Sequence, residues 1–339
     1  MEEKREMKAA LKKGAAVRLA TVNLPPLEPH EVRIKVEACG ICGTDLHLRA
    51  GSEEKEGPFG HEIAGTVAEL GAHVRGLQTG QKVALESSSA CGRCENCRNM
   101  RQEFCTGILS FWGSPALGFA EEMLSPAQCA VPYADSRPEV AALSEPLGVA
   151  IDLLRLAEVR PDSNVLVTGA GCIGLMAVAL AKRHGARRIV VAQRGRRPAR
   201  IAAAKRFGAD EVFDPEVTPY KEALGPWRPD RLLATTPPTT LPAAFEVAAK
   251  GALIVFIGIA YDDGAFCRFE ANRFHFQKLQ LRASFAAPAM FTPLALQYLR
   301  ERVVDGEALL SHRYPLDRIA EAMETARNNP EAVKVVVLP

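Results

Sequence analysis

The sequence predicts an α/β protein built in two unlike parts. Three observations carry this. Between residues 160 and 285, strand-like runs alternate with helix-like ones, the pattern of a parallel sheet covered by helices. Within that segment Gly169-Ala170-Gly171-Cys172-Ile173-Gly174 follows the strand-like VLVT and opens an amphipathic helix. Residues 7 to about 150 are instead rich in Gly, Pro and short β-like runs, and read as an irregular, mostly β domain.

The elements follow in order. MKAALKKGAAVRL reads as a first strand opening at Met7, with residues 1–6 as a mobile extension. EVRIKVEACG, EIAGTVAEL and QKVALES continue the β part. NVLVTGAG is a strand and tight turn, and IGLMAVALAKRHG is a helix ending at Gly185. RIVVAQ, EVFD, RLLAT, ALIVFIGIA and LQLRASF are further strands, with helical stretches such as RIAAAKRFGA between several of them. The closing segment holds two helices, PLALQYLRERVVDG and DRIAEAMETARN, and the strand VKVVVL. The sequence contains no internal repeat and no low-complexity tract.

The bulk numbers exclude several classes. The 339 residues suffice for a large core and about two domains. A net charge of +2 gives no general pull towards nucleic acid or an acidic membrane. No apolar run reaches ~18 residues without a charge, so no membrane helix is expected. The start, MEEKREMKAAL, lacks the apolar core of a secretory signal. Nine cysteines, an odd number, then point to a reducing cytoplasm, where clustered thiols favour metal over disulfides.

The glycine turn has the context that gives such a motif value: strand before, helix after. The first Gly permits the turn, the second lets the backbone approach a pyrophosphate, and the third lets helix and strand pack closely. The helix N-terminus, at Cys172 and Ile173, offers unpaired N–H groups to phosphates. A Gly-rich turn with no ligand is the plainer alternative.

Two sets of residues suit a metal. Cys91, Cys94, Cys97 and Cys105 follow the spacing C-x2-C-x2-C-x7-C, and four thiolates close a tetrahedral zinc shell with no position left for substrate. That shell would hold a loop rather than do chemistry. A redox thiol pair, an iron–sulfur cluster and a nucleic-acid-binding zinc ribbon are the rivals; no basic stripe accompanies the last. The second set is Cys42 in GICGTDLH, His61 and Glu62 in GHE, and Glu145 in SEPLG. One thiolate, one imidazole and a carboxylate make the three protein ligands of an open zinc site. Spacing alone does not join these segments. Taken singly, Cys42 reads as a buried thiol, His61 as a core histidine and Glu145 as a helix-start residue.

The motifs GICGTDLH, GHE, the four-cysteine lobe, SEPLGVA, VLVTGAGCIG and HRYPLDRIAEAMETA…KVVV, in that order, resemble the zinc-dependent medium-chain dehydrogenase/reductases. Within them the chain is most similar to the polyol (sorbitol-type) and threonine dehydrogenase branch. The resemblance spans the chain from near Met7. It implies a GroES-like, mostly β catalytic domain at 1–152 and 286–339, with a structural zinc lobe at about 88–108. A doubly wound Rossmann domain that binds NADP(H) is inserted at 153–285, and the active site is expected in the cleft between the domains. Two zinc ions per chain are implied, one catalytic and one structural. By resemblance, Cys42, His61 and Glu62 match the catalytic-zinc positions, and Glu145 the carboxylate that binds the zinc directly or through its water. Thr44 matches the hydroxyl that touches the substrate oxygen, and His47 the relay to solvent. The implied reaction transfers a hydride between NADP(H) and an alcohol or ketone: a polyol, cyclitol, sugar or amino alcohol. A homodimer or homotetramer pairing through the Rossmann domains is also implied, with ALIVFIGIA a candidate pairing strand.

The preference for NADP(H) rests on VVAQRGRRPAR (190–200). NAD-binding members carry an acid at the end of the second strand for the ribose 2′-hydroxyl. The aligned position is Gly195, and no carboxylate lies between Val190 and Arg200. Arg194, Arg196, Arg197 and Arg200 do, and Gly195-Arg196-Arg197-Pro198 resembles the G-S-R-P turn of NADP-dependent members. Arg196 and Arg197 are the expected 2′-phosphate ligands; Arg200 begins the next helix and Arg194 faces solvent.

The chain departs from the family in two places. The gap from Cys42 to His61 is short and carries the charged run SEEKE, and Gln81 replaces the Asp of a G-D-x-V turn. A non-catalytic NADP(H) sensor is the competing class, and it would need no open zinc site.

Overall fold

The computed structural model describes residues 5–47 and 55–339. Arg5–Lys13 (β1) and Ala16–Leu24 (β2) form an antiparallel hairpin around Gly14. Arg5 and Glu6 therefore belong to a paired strand, which corrects the expected extension over residues 1–6; residues 1–4 lie outside the described residues. Met7, Ala9 and Leu24 of this hairpin pack with Ala116, Ala120 and Leu124.

Glu31–Gly40 (β3) is the centre of the main sheet of this part. Val32, Ile34, Val36 and Ala38 alternate along it and are fully buried, so one face is set by the period of the strand. The short helix Gly43–Leu46 (α1) follows, then Gly57–Pro58 (β4), which pairs with β1. Glu62–Leu70 (β5) and Lys82–Leu85 (β6) continue the sheet beyond β3. In the turn before β6, the Gln81 side chain accepts from the Gln78 N–H at 3.0 Å, so the amide supplies the acceptor that an Asp would otherwise bring. Ser88–Ser89 (β7) and Leu109–Ser110 (β8) pair with each other, with Glu95–Arg98 (α2) between them in sequence. Glu122–Pro126 (β9) adds to β3, and Ala130–Pro132 (β10) to β6. Pro138–Ala141 (α3) and Ser144–Ala157 (α4) lead out of this part.

The second part is a six-stranded, all-parallel sheet. Its strands are Asn164–Thr168 (β11), Arg188–Ala192 (β12), Glu211–Phe213 (β13), Arg231–Ala234 (β14), Leu253–Phe256 (β15) and Gln280–Ala283 (β16). They lie in the order β13-β12-β11-β14-β15-β16, a doubly wound arrangement whose strand order reverses at β11. Cys172–Arg183 (α5), Pro198–Arg206 (α6), Tyr220–Leu224 (α7), Leu241–Val247 (α8) and Ala271–Phe276 (α9) lie between the strands in sequence. Leu166, Val190, Leu232 and Ile254 from four neighbouring strands share one core with Phe245 of α8. The segment ALIVFIGIA supplies β15, which is paired on both sides. It has no open edge, which corrects its expected role as the pairing strand; the sheet's outer strand on that side is β16.

The chain then returns through Thr292–Arg300 (α10), Gly306–Leu309 (α11), Leu310–Pro315 (β17), Ile319–Asn328 (α12) and Lys334–Leu338 (β18). β18 pairs antiparallel with β3, Val336 opposite Gly40, and β17 runs parallel beside it. Two units result: Met1–Gly148 with Ala286–Asn329 and Lys334–Pro339, and Val149–Phe285 with Pro330–Val333. Relative to the sequence expectation, the first boundary moves from 152/153 to 148/149, and residues 330–333 go with the second unit.

Candidate active site and nucleotide turn

Cys91, Cys94, Cys97 and Cys105 converge, with all four Sγ atoms within 4.8 Å of one another. The separations Cys91–Cys105, Cys94–Cys105 and Cys91–Cys97 are 3.5, 3.9 and 4.0 Å. A tetrahedron with Zn–S of ~2.3 Å needs S···S of about 3.8 Å, so the four sulfurs fit zinc as placed. N–H groups of Cys97 and Thr106 pull the Cys94 thiol down to about 5, while burial and the neighbouring thiols push Cys97 up to about 12. Among the described residues, no other group of three or more candidate ligands is so close.

The second cluster is assembled by strand ends. β3 stops at Gly40 and delivers Cys42 to the start of α1; β5 begins opposite, with Glu62 paired to Gly40. The Cys42 N–H donates to Asp45 Oδ2 at 2.9 Å, which ties the turn of α1 back on itself. Asp45 Oδ1 also lies 3.7 Å from His61 Nδ1, with both side chains buried. Cys42 is hydrogen-bonded to the same imidazole. Burial pulls the His61 pKa down, but the charges of Cys42, Asp45 and Glu145 outweigh it and hold the imidazole well above its usual value. Loss of hydration pushes Glu145, at the start of α4, up to about 7, against the pull of His61. A thiol, an imidazole and a carboxyl thus act on one another here, Cys42 and Glu145 half-buried and His61 buried, and make a donor set suited to a divalent cation.

Glu62 is placed differently. Its carboxylate pairs with Lys334, the first residue of β18, in a contact that leaves both side chains almost wholly buried. Lys334 Nζ also donates to the Ile41 carbonyl at 2.9 Å. A Cβ at Gly40 would collide with the Glu62 carboxylate, so the glycine before Ile41 makes room for this pair.

His61, Thr44 and His47 line one cavity of about 330 Å³, with Asp45, Lys12, Lys55, Phe59, Trp112 and Leu117 also on its wall. The Trp112 ring centroid lies 5.3 Å from that of His61. Part of the charged run before His61, residues 52–54, lies outside the described residues.

In the second unit the glycine turn has the expected shape. Gly169 takes φ +89°, and a Cβ on Gly174 would run into the Gly169 carbonyl. A Cβ on Gly171 would meet nothing within 4 Å, so this face of the turn is open to a phosphate. Cys172 and Ile173 form the first turn of α5. The first side chain past β12 is Gln193, and its Oε1 accepts from the Ala170 N–H of the turn at 2.8 Å. This corrects the assignment of Gly195 to the strand end: Gln193 stands there, and it carries no charge. The Gly195 N–H instead donates to Asp214 Oδ2 at 2.7 Å. Arg194 pairs with Glu216 at 2.9 Å. Arg196 is exposed and Arg197 half-buried, beside the start of α6. Arg200 turns inward, its Nε donating to the Ala332 carbonyl at 3.1 Å.

Asp45, Lys334, Trp112, Gln193 and Asp214 are site residues that sequence reasoning missed. Asp45, Gln193 and Lys334 lay inside stretches already singled out, GICGTDLH, VVAQRGRRPAR and KVVV, while Trp112 and Asp214 are joined to the site only by the fold.

Comparison with known proteins identifies the family. The family described as "Alcohol dehydrogenase GroES-like domain" matches residues 28–135, and "Zinc-binding dehydrogenase" matches residues 172–300. The chain belongs to the zinc-dependent medium-chain dehydrogenase/reductase family, in its polyol and threonine dehydrogenase branch. It is 30% identical to sorbitol dehydrogenase of Bacillus subtilis, over 98% of this chain and 97% of that one. It is 30% identical to L-idonate 5-dehydrogenase of Vitis vinifera (92% and 89%) and 31% identical to L-threonine 3-dehydrogenase of Mesorhizobium japonicum (98% and 98%). Among solved structures, an Escherichia coli CFT073 alcohol dehydrogenase complexed with NADH has a TM-score of 0.87 at 25% identity, covering 98% of this chain and 99% of that one. A zinc-binding dehydrogenase of Sinorhizobium meliloti bound to NADP has a TM-score of 0.86 at 26% identity, covering 99% and 100%. The protein is thus an oxidoreductase of the alcohol and polyol dehydrogenase type. Among the described residues no helix is long and apolar enough to cross a membrane.

Proposed function

We propose that this chain transfers a hydride between NADP(H) and a secondary alcohol or ketone, with a polyol, cyclitol or sugar as the substrate class. The observation that carries the reading is the convergence of Cys42 and Glu145 on His61, a wall residue of the cavity that Thr44 and His47 also line. Cys42, His61 and Glu145 would hold the catalytic zinc, which when bound polarises an alcohol oxygen and lowers its pKa. Glu62 stands behind this set, committed to Lys334. Asp45 faces His61 Nδ1 from 3.7 Å, beyond hydrogen-bond reach, and acts on the ring through its charge. The half-buried Thr44 hydroxyl takes up the substrate proton, and the exposed His47 passes it to water. Cys91, Cys94, Cys97 and Cys105 hold the second, structural zinc.

Gly169, Gly171 and Gly174 receive the pyrophosphate of the dinucleotide, whose nicotinamide supplies the redox chemistry. Two features support NADP(H) over NAD(H). The strand end carries the neutral Gln193, and Arg196 and Arg197 follow within four residues. The inward turn of Arg200 supports a structural rather than a 2′-phosphate role. A homodimer or homotetramer is supported by β16, an outer strand with Leu281 exposed on it and Phe285 exposed just past it. None of the nine cysteines is in a disulfide, which suits a cytoplasmic protein.

The deciding experiment is a screen of polyols, sugars and amino alcohols with zinc-loaded protein and both cofactors. Turnover of a polyol with NADP+ favoured supports the reading. Turnover of threonine alone would move the substrate class, and a zinc-loaded protein that binds NADP+ without any turnover would overturn it.

A further inference from the structure

β3 and β5 carry metal donors at both ends. At one end Gly40 faces Glu62, beside Cys42 and His61. At the other end Val32 faces Leu70, and the turns just beyond bring His30 and His73 together. His30 Nε2 lies 3.3 Å from His73 Nδ1. The ring centroids are 4.9 Å apart and the planes tilted by 57°, so these nitrogens are the near edges of rings that do not stack.

The backbone fixes this approach. The His73 N–H donates to the Pro29 carbonyl at 2.8 Å, and the Gly71 N–H to the Glu31 carbonyl at 2.9 Å. The His30 carbonyl accepts from the Ala127 N–H at 3.0 Å. A Cβ on Gly71 would collide with the Glu28 carbonyl, so the glycine lets the second turn in against the first. Both imidazoles are exposed, and they line a cavity of about 410 Å³ with Gln128 and Arg75 also on its wall. That volume leaves room for water beside the rings.

We propose that His30 and His73 chelate a zinc ion, at a site weaker than the two described above, with water in the remaining positions. The spacing selects the metal. Two nitrogens ~2.05 Å from a tetrahedral ion stand about 3.3 Å apart. At the right-angled corner of a tetragonal or octahedral ion they would stand about 2.9 Å apart, which suits copper and nickel less well. A proton shared between the rings is the other use of this contact, and 3.3 Å is long for it. Chelation needs a lone pair from each ring, so the protons sit on His30 Nδ1 and His73 Nε2. Arg75 is the cation on this wall, and its Nη1 is held by the carbonyls of Ala72 and Val74 at 3.0 and 2.8 Å. Its charge weakens the site without removing two neutral ligands. The ten residues of β3 set the pair about 30 Å from Cys42, so the ion would clip the two turns and take no part in hydride transfer. The site stands independently of the dehydrogenase reading.

The test titrates desalted, zinc-loaded protein with zinc chloride by calorimetry, in a buffer that does not bind metal. A two-imidazole site gives up its ion on desalting, whereas a four-thiolate shell keeps it. The expected result is one further zinc per chain and a Tm that rises with added zinc. His30→Ala and His73→Ala should each weaken this binding by at least about tenfold, since even groups that only support a ligand are worth that much. His73→Gln, which removes the ring and keeps a polar side chain, should do the same. The double variant should bind no more weakly than either single one, because one imidazole alone no longer chelates. His184→Ala, at an exposed histidine of the second unit, should bind as the wild type does. No further zinc in the wild type would overturn the proposal. So would an affinity that the His30 and His73 variants leave unchanged, or an equal loss in His184→Ala.

Discussion

Lys334 and Glu62 form an ion pair that is almost completely removed from solvent, their side chains 3% and 1% exposed. Two charges taken out of water cost several kcal/mol each, so neither is tolerable there without the other. Lys334→Met should therefore lower unfolding stability by about 3–5 kcal/mol. Adding Glu62→Gln to Lys334→Met should restore most of it. Urea unfolding of the two variants checks both values; equal stability of Lys334→Met and the wild type would remove the pair from the account.

The two metal sites should separate on mutation. Cys97→Ser opens a shell whose binding energy is folding energy, and should lower Tm and yield. Cys42→Ser should abolish turnover with little change in Tm. Zinc analysis should give about two ions per wild-type chain and about one for each variant. A Cys97→Ser protein of full stability that loses only its chemistry would reverse the assignment.

Glu145 and Glu62 are told apart by kinetics. Glu145→Ala should depress kcat/KM by about 10²-fold or more while leaving NADP+ affinity within about threefold. Unchanged turnover in that variant would take Glu145 out of the site.

Glu86 gives a pH signature away from the chemistry. Burial pushes its carboxyl up to about 7, against hydrogen bonds from Thr292 and Ser89 that pull it down. The unfolded chain ionises near pH 4.3 while the folded protein holds the proton to about 7. Between those values the native state binds more protons, so stability falls as pH rises through the window and is flat outside it. The loss amounts to about 3–4 kcal/mol. Glu86→Gln should abolish this part of the slope and gain stability at pH 8, as read by Tm across pH.

Cofactor choice should respond to changes at the β12 end. Arg196→Ala with Arg197→Ala should cut the NADP+/NAD+ ratio of kcat/KM by about 10²-fold, as expected from two partly exposed charge-assisted contacts. Gln193→Asp on that background should favour NAD+ further. Gly195→Asp is a poorer choice, because a Cβ there would stand 2.8 Å from Asp214 Oδ2 and bring a second negative charge to it. A wild-type preference for NAD+ would sink the assignment.

What the sequence showed and what it hid divide along one physical line. Local period and turn chemistry were enough for β3, β5, β11, α5, α12 and β18, because their patterns depend on neighbours three or four residues away. The four-cysteine lobe was legible for the same reason. The partners of those elements were not. Lys334 reads as an ordinary first strand residue until β18 is laid against β3. Asp214 reads as the end of a short strand until its carboxylate takes the Gly195 N–H. ALIVFIGIA looked the same as an edge strand because hydrophobicity does not report which neighbours a strand has. The strand-end position went to Gly195 rather than Gln193 because counting residues cannot locate where a strand stops.

The pairing of β18 with β3 also sets a calendar for metal loading. Lys334 follows Ile41 by 293 residues, which at ~5–20 residues per second takes a ribosome about 15–60 s to add. Through that interval Glu62 has no counter-charge and the strand end that carries Cys42 has no neighbour on its β18 side. The four-cysteine lobe is complete once Cys105 has emerged, and it can close on its ion while synthesis continues. The two zincs would therefore enter a nascent chain at different times, the structural one early and the catalytic one only after the last strand has been made.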